Sequence, residues 1–417
     1  MISFFEKKLN LHLSTYIKEG GFLAVSYIIG IFCTLLTSLA FAHLLPKSEY
    51  GLYKLLLSIS AIMGAFTLTG INTATTRAIA QNSTGIYRKI ITYQLLWNSL
   101  ITICALIYVL FFPLPQGVTK FPLLIISFST LLLTTYNTYS AYYNGKRNFK
   151  VLTTASISTT LVQTLTIILL AWSTHSGAHV ISGFFVVQTI MSIYFHLKVL
   201  REEKDVPAPS VKPILNYGIK LSIISFVKNI AEQSDKILTF SLLGPVALAI
   251  YSFAYALPDQ MRGFYKIIPS LALPHFSAKD ESRVRSQLKK YLLLLFGIAL
   301  FGSCTYVLIA PIIFHTLFPT YLESIRYSQA LSITTVILAL QIPLVSYLNA
   351  YKKTRAIIIS NFAQLILDSS IIIICAQQYG IWGVVVGKMV SATILLLLLL
   401  VFTFFTPLSS SEQVTHS

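Results

Sequence analysis

Phe226–Lys266 is apolar over a length sufficient to cross a bilayer twice, yet it carries Lys228, Glu232, Asp235, Lys236, Asp259, Arg262 and Lys266. A Lys, Arg or Asp at the centre of a lipid-facing helix costs roughly 2.5–3.5 kcal/mol, so seven charged groups facing lipid would cost on the order of 20 kcal/mol. The spacing offers a way out. Lys228, Glu232, Asp235 and Lys236 fall at i, i+4, i+7 and i+8, and Asp259, Arg262 and Lys266 at i, i+3 and i+7. Each helix therefore gathers its charge on one stripe, which can line a water-filled interior.

The rest of the chain repeats the apolar part of this pattern. Hydrophobic residues make up 55% and charged residues 11% of the 417, and mean hydropathy is +0.73, outside the range of soluble globular proteins. A span needs about 20 apolar residues to cross roughly 30 Å of hydrocarbon. Windows of that length fall at 21–45, 50–72, 90–112, 121–143, 151–173, 178–198, 214–243, 248–273, 291–317, 327–350, 356–377 and 380–405. The expected fold class is an all-α polytopic membrane protein with twelve transmembrane helices.

A formal net charge of +17 would suit nucleic acid or an anionic membrane surface, so the placement of the Lys and Arg residues decides. Taken in step with the twelve windows, twenty-one fall on one side, among them Lys146, Arg147, Arg201, Lys204, Lys289 and Lys353; only Lys47, Lys120 and Arg326 fall on the other. The positive-inside rule then predicts cytoplasmic termini and a membrane, with no nucleic acid as partner. The remaining seven, Lys54, Lys220, Lys228, Lys236, Arg262, Lys266 and Lys388, lie inside spans and face four in-span acids, Glu232, Asp235, Asp259 and Asp368. A surplus of three positive charges within the membrane favours anionic cargo, phosphate above all.

Residues 199–213 form the one extended polar stretch and read as a cytoplasmic linker between a lobe 1–205 (spans one to six) and a lobe 206–417 (spans seven to twelve). Leu44-Leu45-Pro46 through Leu52-Tyr53 aligns with Leu242-Leu243-Gly244-Pro245 through Ile250-Tyr251, and Tyr142-Tyr143-Asn144-Gly145 with Tyr347-Leu348-Asn349-Ala350. Six spans per half preserve orientation, so the repeat is parallel, with the substrate path expected between the halves. Pro258, just before Asp259, predicts a kink in the eighth span.

Other features have structural readings. Tyr136, Tyr139, Tyr142 and Tyr143 suit an interfacial aromatic belt. Gly383-Val-Val-Val-Gly387-Lys388 suits close helix packing, since a phosphate loop has different spacing and a Ser or Thr after its Lys. Cys33, Cys104, Cys304 and Cys375 sit in apolar runs and read as buried small residues without metal-ligand spacing. Neither a catalytic triad nor an ATPase signature is visible, so no cofactor is expected and the chain reads as a transporter, not an enzyme.

His43-Leu44-Leu45-Pro46-Lys47-Ser48-Glu49-Tyr50-Gly51, Ser234-Asp235-Lys236-Ile237 with Leu243-Gly244 and Ile250-Tyr251-Ser252-Phe253-Ala254-Tyr255, and Phe318-Pro319-Thr320-Tyr321 resemble the Wzx-type lipid-linked oligosaccharide flippases of the multidrug/oligosaccharidyl-lipid/polysaccharide exporter superfamily. The resemblance implies two lobes whose first, second, seventh and eighth spans line a cationic cavity. It implies an undecaprenyl-pyrophosphate-linked repeat unit flipped across the bacterial inner membrane for O-antigen or capsule assembly. A polysaccharide polymerase and a chain-length regulator would be partners.

The candidate substrate-binding cations are Lys228, Lys236, Arg262 and Lys266, with Lys54 and Arg77 added by the resemblance. Asp235, Asp259, Glu232 and Asp368 are candidates for coupling transport to H+, Na+ or the membrane potential. A drug/cation antiporter of the same superfamily is the alternative. An envelope polysaccharide polymerase or glycosyltransferase fits less well, because such enzymes need a large outer loop.

Overall fold

The computed structural model describes residues 13–81, 83, 85–115, 117–203, 210–277, 281–351 and 353–405; the side chains of 13–24, 264, 266–277, 282 and 283 are not among those described. The expected cytoplasmic termini lie outside these residues. The described regular structure is helical throughout: α1 (Leu13–Leu44), α2 (Lys47–Phe66), α3 (Gly70–Ala80), α4 (Ile86–Phe111), α5 (Lys120–Tyr136), α6 (Tyr139–Gly145), α7 (Phe149–Thr174), α8 (Gly177–Glu202), α9 (Lys212–Ser277), α10 (Glu281–Leu317), a 3-10 turn (Pro319–Tyr321), α11 (Ser324–Ala350), α12 (Thr354–Tyr379) and α13 (Ile381–Phe404). Among the described residues, ten helices are long and apolar enough to cross a membrane, or eleven when α2 and α3, bent by 56°, count as one span.

The difference from the expected twelve lies in α9, where the seventh and eighth windows run on as one 66-residue helical stretch interrupted at Gly244 (φ 84°, ψ 179°). Only glycine holds a positive φ without steric cost, and the following Pro245 drives the residue before it toward extended ψ. The chain doubles back there. Tyr251 Oη donates to Asp235 Oδ2 at 2.7 Å, whereas sixteen residues of straight helix would hold those residues about 24 Å apart. Pro258 keeps helical backbone angles, so the interruption belongs to Gly244 and not to the proline.

The chain forms two compact units, Met1–Phe226 and Val227–Ser417. This division falls later than the expected 205/206 junction because the start of α9 packs with the first unit: Ser222 Oγ accepts the backbone N–H of Gly70 at 3.0 Å. In unit 1 the expected second span is broken over Thr67–Thr69. The carbonyls freed at that break find donors, Thr67 Oγ1 to Gly64 O at 2.6 Å and Trp97 Nε1 to Phe66 O at 3.1 Å, as buried helix ends require.

The core of unit 1 corrects the reading of the tyrosines. Tyr139, Tyr142 and Tyr143 are 9%, 2% and 0% exposed and pack with Ile71, Ile90 and Phe195. They are core and not an interfacial belt, because their hydroxyl and ring partners lie inside the unit: Tyr143 Oη donates to Glu202 at 3.0 Å, and Tyr142 meets Tyr87 edge to face. Of the cysteines, Cys33 alone is buried; Cys104 and Cys304 are exposed and Cys375 is half-buried, which suits apolar spans whose outer faces meet lipid.

In unit 2 the glycine motif does what close packing predicts. A Cβ on Gly383 would stand 2.0 Å from the Cys375 carbonyl oxygen, so α12 and α13 meet backbone to backbone. Gly383→Ala should force them apart at a cost of about 1–3 kcal/mol and lower the thermal midpoint of the purified protein by several degrees. Gly297→Ala, with nothing within 4 Å of its new methyl, should leave that midpoint unchanged or raise it.

Just past α8, Glu203 Oε1 accepts the Tyr87 N–H at 3.2 Å, while Oε2 is buried without a partner among the described residues. Burial pushes this carboxyl above its ordinary range. The stability it contributes is full below its unfolded pKa and is lost as pH rises through the higher folded value. Between mildly acidic and neutral pH the wild type should therefore lose more thermal stability than Glu203→Gln; equal slopes would remove the assignment.

Candidate functional site

The densest ionic cluster among the described residues is in unit 2, where the first pass of α9 presents Asp235, the second presents Tyr251, α12 presents Asp368, and α13 presents Lys388 and Ser391. Lys388 and Ser391, three apart, share a helix face. Lys388 Nζ lies 3.1 Å from Asp368 Oδ2 and 3.3 Å from Asp235 Oδ2. All four carboxylate oxygens are engaged: Asp235 Oδ1 by the Lys236 N–H at 2.8 Å, Asp235 Oδ2 by Tyr251 and Lys388, Asp368 Oδ1 by the Ser391 hydroxyl, and Asp368 Oδ2 by Lys388.

Lys388, Asp235 and Asp368 are 6%, 2% and 2% exposed. Taking such ions from water is tolerable only when the geometry is close and the remaining lone pairs are filled, and both conditions are met. The two carboxylates share the Lys388 ammonium, and the charge of the neighbouring Lys236 also acts on Asp235. The positive surplus expected inside the membrane does not collect here.

A second network is looser. Glu232 Oε1 stands 4.0 Å from Lys228 Nζ and 3.8 Å from an Arg262 guanidinium nitrogen, and Arg262 reaches Asp259 at 3.7 Å and Tyr255 Oη at 3.5 Å. The Lys228 side chain is 57% and that of Arg262 23% exposed. These separations exceed the roughly 2.7–2.9 Å of a charge-assisted hydrogen bond. Among the described residues, the carboxylates stand beside the two cations without a close hydrogen bond to either. A planar or tetrahedral oxyanion could engage both.

The sequence candidates thus separate. Lys228, Glu232, Asp259 and Arg262 come together in one network, and Asp235 and Asp368 in the other. Lys236 donates from Nζ to Gln233 Oε1 at 3.0 Å, and the side chain of Lys266 lies outside the described residues. In unit 1, Lys54 sits over the Tyr50 ring at 5.3 Å and Arg77 over Tyr217 at 5.7 Å, cation–π contacts that keep charge near an apolar surface. Sequence reasoning missed Lys388, Tyr251 and Ser391 as partners of Asp235 and Asp368. A signal existed: Asp368 and Lys388 are the sole acid and base in the last two spans, and each needs an opposite charge.

Lys388→Met should leave two buried carboxylates facing one another and cost roughly 3–5 kcal/mol, seen as a large fall in thermal midpoint. Combining it with Asp235→Asn and Asp368→Asn should recover most of the loss. A single variant as stable as the wild type would show that the triad does not hold these helices.

The profile of the family described as polysaccharide biosynthesis protein matches residues 16–278. Among solved structures, the lipid II flippase MurJ in an inward closed conformation superposes with a TM-score of 0.74 at 18% identity, covering 94% of this chain and 88% of MurJ. An inward-facing multidrug resistance MATE family transporter of the MOP superfamily gives 0.65 at 13% identity over 90% of this chain and 93% of its own. A MOP superfamily transporter from Pyrococcus furiosus gives 0.60 at 12% identity over 93% and 94%. No curated protein matches the sequence. At these identities the superpositions establish a shared fold, and the profile, which spans more than half the residues, establishes kinship: the chain belongs to the polysaccharide biosynthesis protein family.

Proposed function

We propose that this protein is a flippase that moves an undecaprenyl-pyrophosphate-linked oligosaccharide repeat unit across the bacterial inner membrane by alternating access, supplying O-antigen or capsular polysaccharide assembly. The observation that carries the reading in the geometry is the pair Lys228 and Arg262, held beside carboxylates at 3.7–4.0 Å. Cations placed so, with donors available, suit a pyrophosphate that must be bound and then released. The family and the fold held in common with a lipid II flippase support the same reading. The in-span acids Asp235 and Asp368 carry the coupling step, through a proton or through the membrane potential, which supplies about 2.3 kcal/mol per charge per 100 mV. The bias of Lys and Arg to one side of the spans supports cytoplasmic termini.

A second reading, an ion-coupled drug/cation antiporter of the same superfamily, draws on the two buried acids Asp235 and Asp368. In a strain lacking its own flippase, the wild-type chain should restore surface glycan. Arg262→Gln and Lys228→Gln should each reduce that glycan about tenfold, equivalent to about 1.4 kcal/mol, at unchanged protein level in the membrane. Full glycan in both variants would remove the phosphate-binding role. Uptake of a cationic dye into vesicles, with no glycan restored by the wild type, would establish the antiporter instead.

A further inference from the structure

The two ionic networks of unit 2 are joined along one face of a helix. Beyond Gly244 the second pass of α9 keeps helical backbone angles, and Tyr251, Tyr255, Asp259 and Arg262 fall on it at i, i+4, i+8 and i+11. Residues so spaced share a face, and eleven residues of helix carry that face about 16 Å from the buried ions to Arg262. At its inner end Tyr251, 0% exposed, donates from Oη to Asp235 Oδ2 at 2.7 Å. The Tyr251 ring lies nearly parallel to that of Tyr255, with centroids 6.2 Å apart and planes at 10°. Tyr255 Oη in turn accepts from an Arg262 guanidinium nitrogen at 3.5 Å. Tyr255 thus stands within electrostatic reach of Lys388 and Asp235 on one side and of Arg262 and Asp259 on the other.

Arg262 has three oxygens at nearly equal range: Tyr255 at 3.5 Å, Asp259 at 3.7 Å and Glu232 at 3.8 Å. They are not equivalent. The side chains of Asp259 and Glu232 are 49% and 37% exposed, and water competes well for ion pairs of that kind. Tyr255 is half-buried and lies along a ring that is itself pinned to Asp235, so its hydroxyl is the acceptor with the most fixed position. Its charge differs too. A carboxylate that holds a guanidinium cancels its charge, whereas a neutral phenol orients the group and leaves the full positive charge for an incoming anion. A group already held in its bound orientation spares the ligand the cost of ordering it.

We propose that Tyr251 and Tyr255 are positioning residues for the phosphate of the substrate: Asp235 anchors Tyr251, Tyr251 seats Tyr255, and the Tyr255 hydroxyl aims Arg262. The inference rests on the flippase reading and deepens it, because it ties anion binding at Arg262 to the buried acids that carry the coupling step.

Inorganic pyrophosphate, titrated calorimetrically into the purified full-length chain, reads the effect. A Phe at either position keeps the ring and alters no charge, so ring packing alone predicts wild-type affinity. Tyr251→Phe and Tyr255→Phe should each weaken pyrophosphate binding about fivefold. The double variant should also lose about fivefold, and not the roughly twenty-five-fold of two independent effects, since both hydroxyls act through one contact. Asp235→Asn weakens the Tyr251 bond from its other end and replaces Tyr251→Phe in this cycle if that variant loses its fold. Wild-type affinity in either single variant, or losses that multiply in the double, would overturn the proposal. Arg262→Gln separates this from the wider reading. If the wild type takes up no pyrophosphate, or Arg262→Gln takes it up equally well, phosphate binding at Arg262 falls and the positioning role falls with it. A loss in Arg262→Gln with none in the tyrosine variants removes the positioning role alone.

Discussion

An ammonium buried among apolar helices has to find anions or leave, and in unit 2 that requirement organises the packing. Lys388 satisfies it with Asp235 and Asp368 at 3.3 and 3.1 Å, which joins α9, α12 and α13 at one point. The contact depends on features that carry no charge. Gly244 turns α9 back so that Tyr251 can fill the second lone pair of Asp235, and Gly383 lets α13 approach α12 closely enough for Lys388 and Ser391 to share Asp368. In hydrocarbon the penalty for an unmatched charge is large enough to decide which helices touch.

Much of this architecture could be read from the residues because lipid imposes a simple rule on sequence. Apolar windows of span length located the helices, and the Leu242-Leu243-Gly244-Pro245 corner aligned with Leu44-Leu45-Pro46 because both make the chain turn at the end of a span. The charged stripe was legible as a stripe: Lys228 and Glu232 do face each other, one helical turn apart. Pairing across long separations was not. Asp235 and Lys388 are joined by no local periodicity, and counting the charges inside the spans does not say which of them meet. The tyrosines of 136–143 misled for a related reason, since aromatic residues near a span end look the same whether the ring faces headgroups or packs against Tyr87 and Phe195. Nor does sequence mark where a helix bend will bring amides of two helices together, as happens around Asn72, Gln94 and Asn98.

The two units solve the problem of polarity inside an apolar bundle by different chemistry. Unit 1 relies mostly on neutral groups, with amides, threonine hydroxyls and tyrosines bonded to one another, to the carbonyls freed at its breaks and to the carboxylates of Glu202 and Glu203. Unit 2 adds buried full charges, Lys388 set between Asp235 and Asp368. Neutral networks tolerate an exchange of partners at small cost, whereas a desolvated ion set holds one arrangement until a proton or a competing ion changes its count.

Lys388 has one more consequence. An ion borrowed from solution occupies its site in proportion to its concentration, so a site that needs one responds to the salt on either side of the membrane. Here the cation is covalently attached a few bonds from where it is needed, at an effective concentration that bulk composition does not alter. The resting charge of this cluster is therefore written into the polypeptide and stays the same in dilute and in briny surroundings.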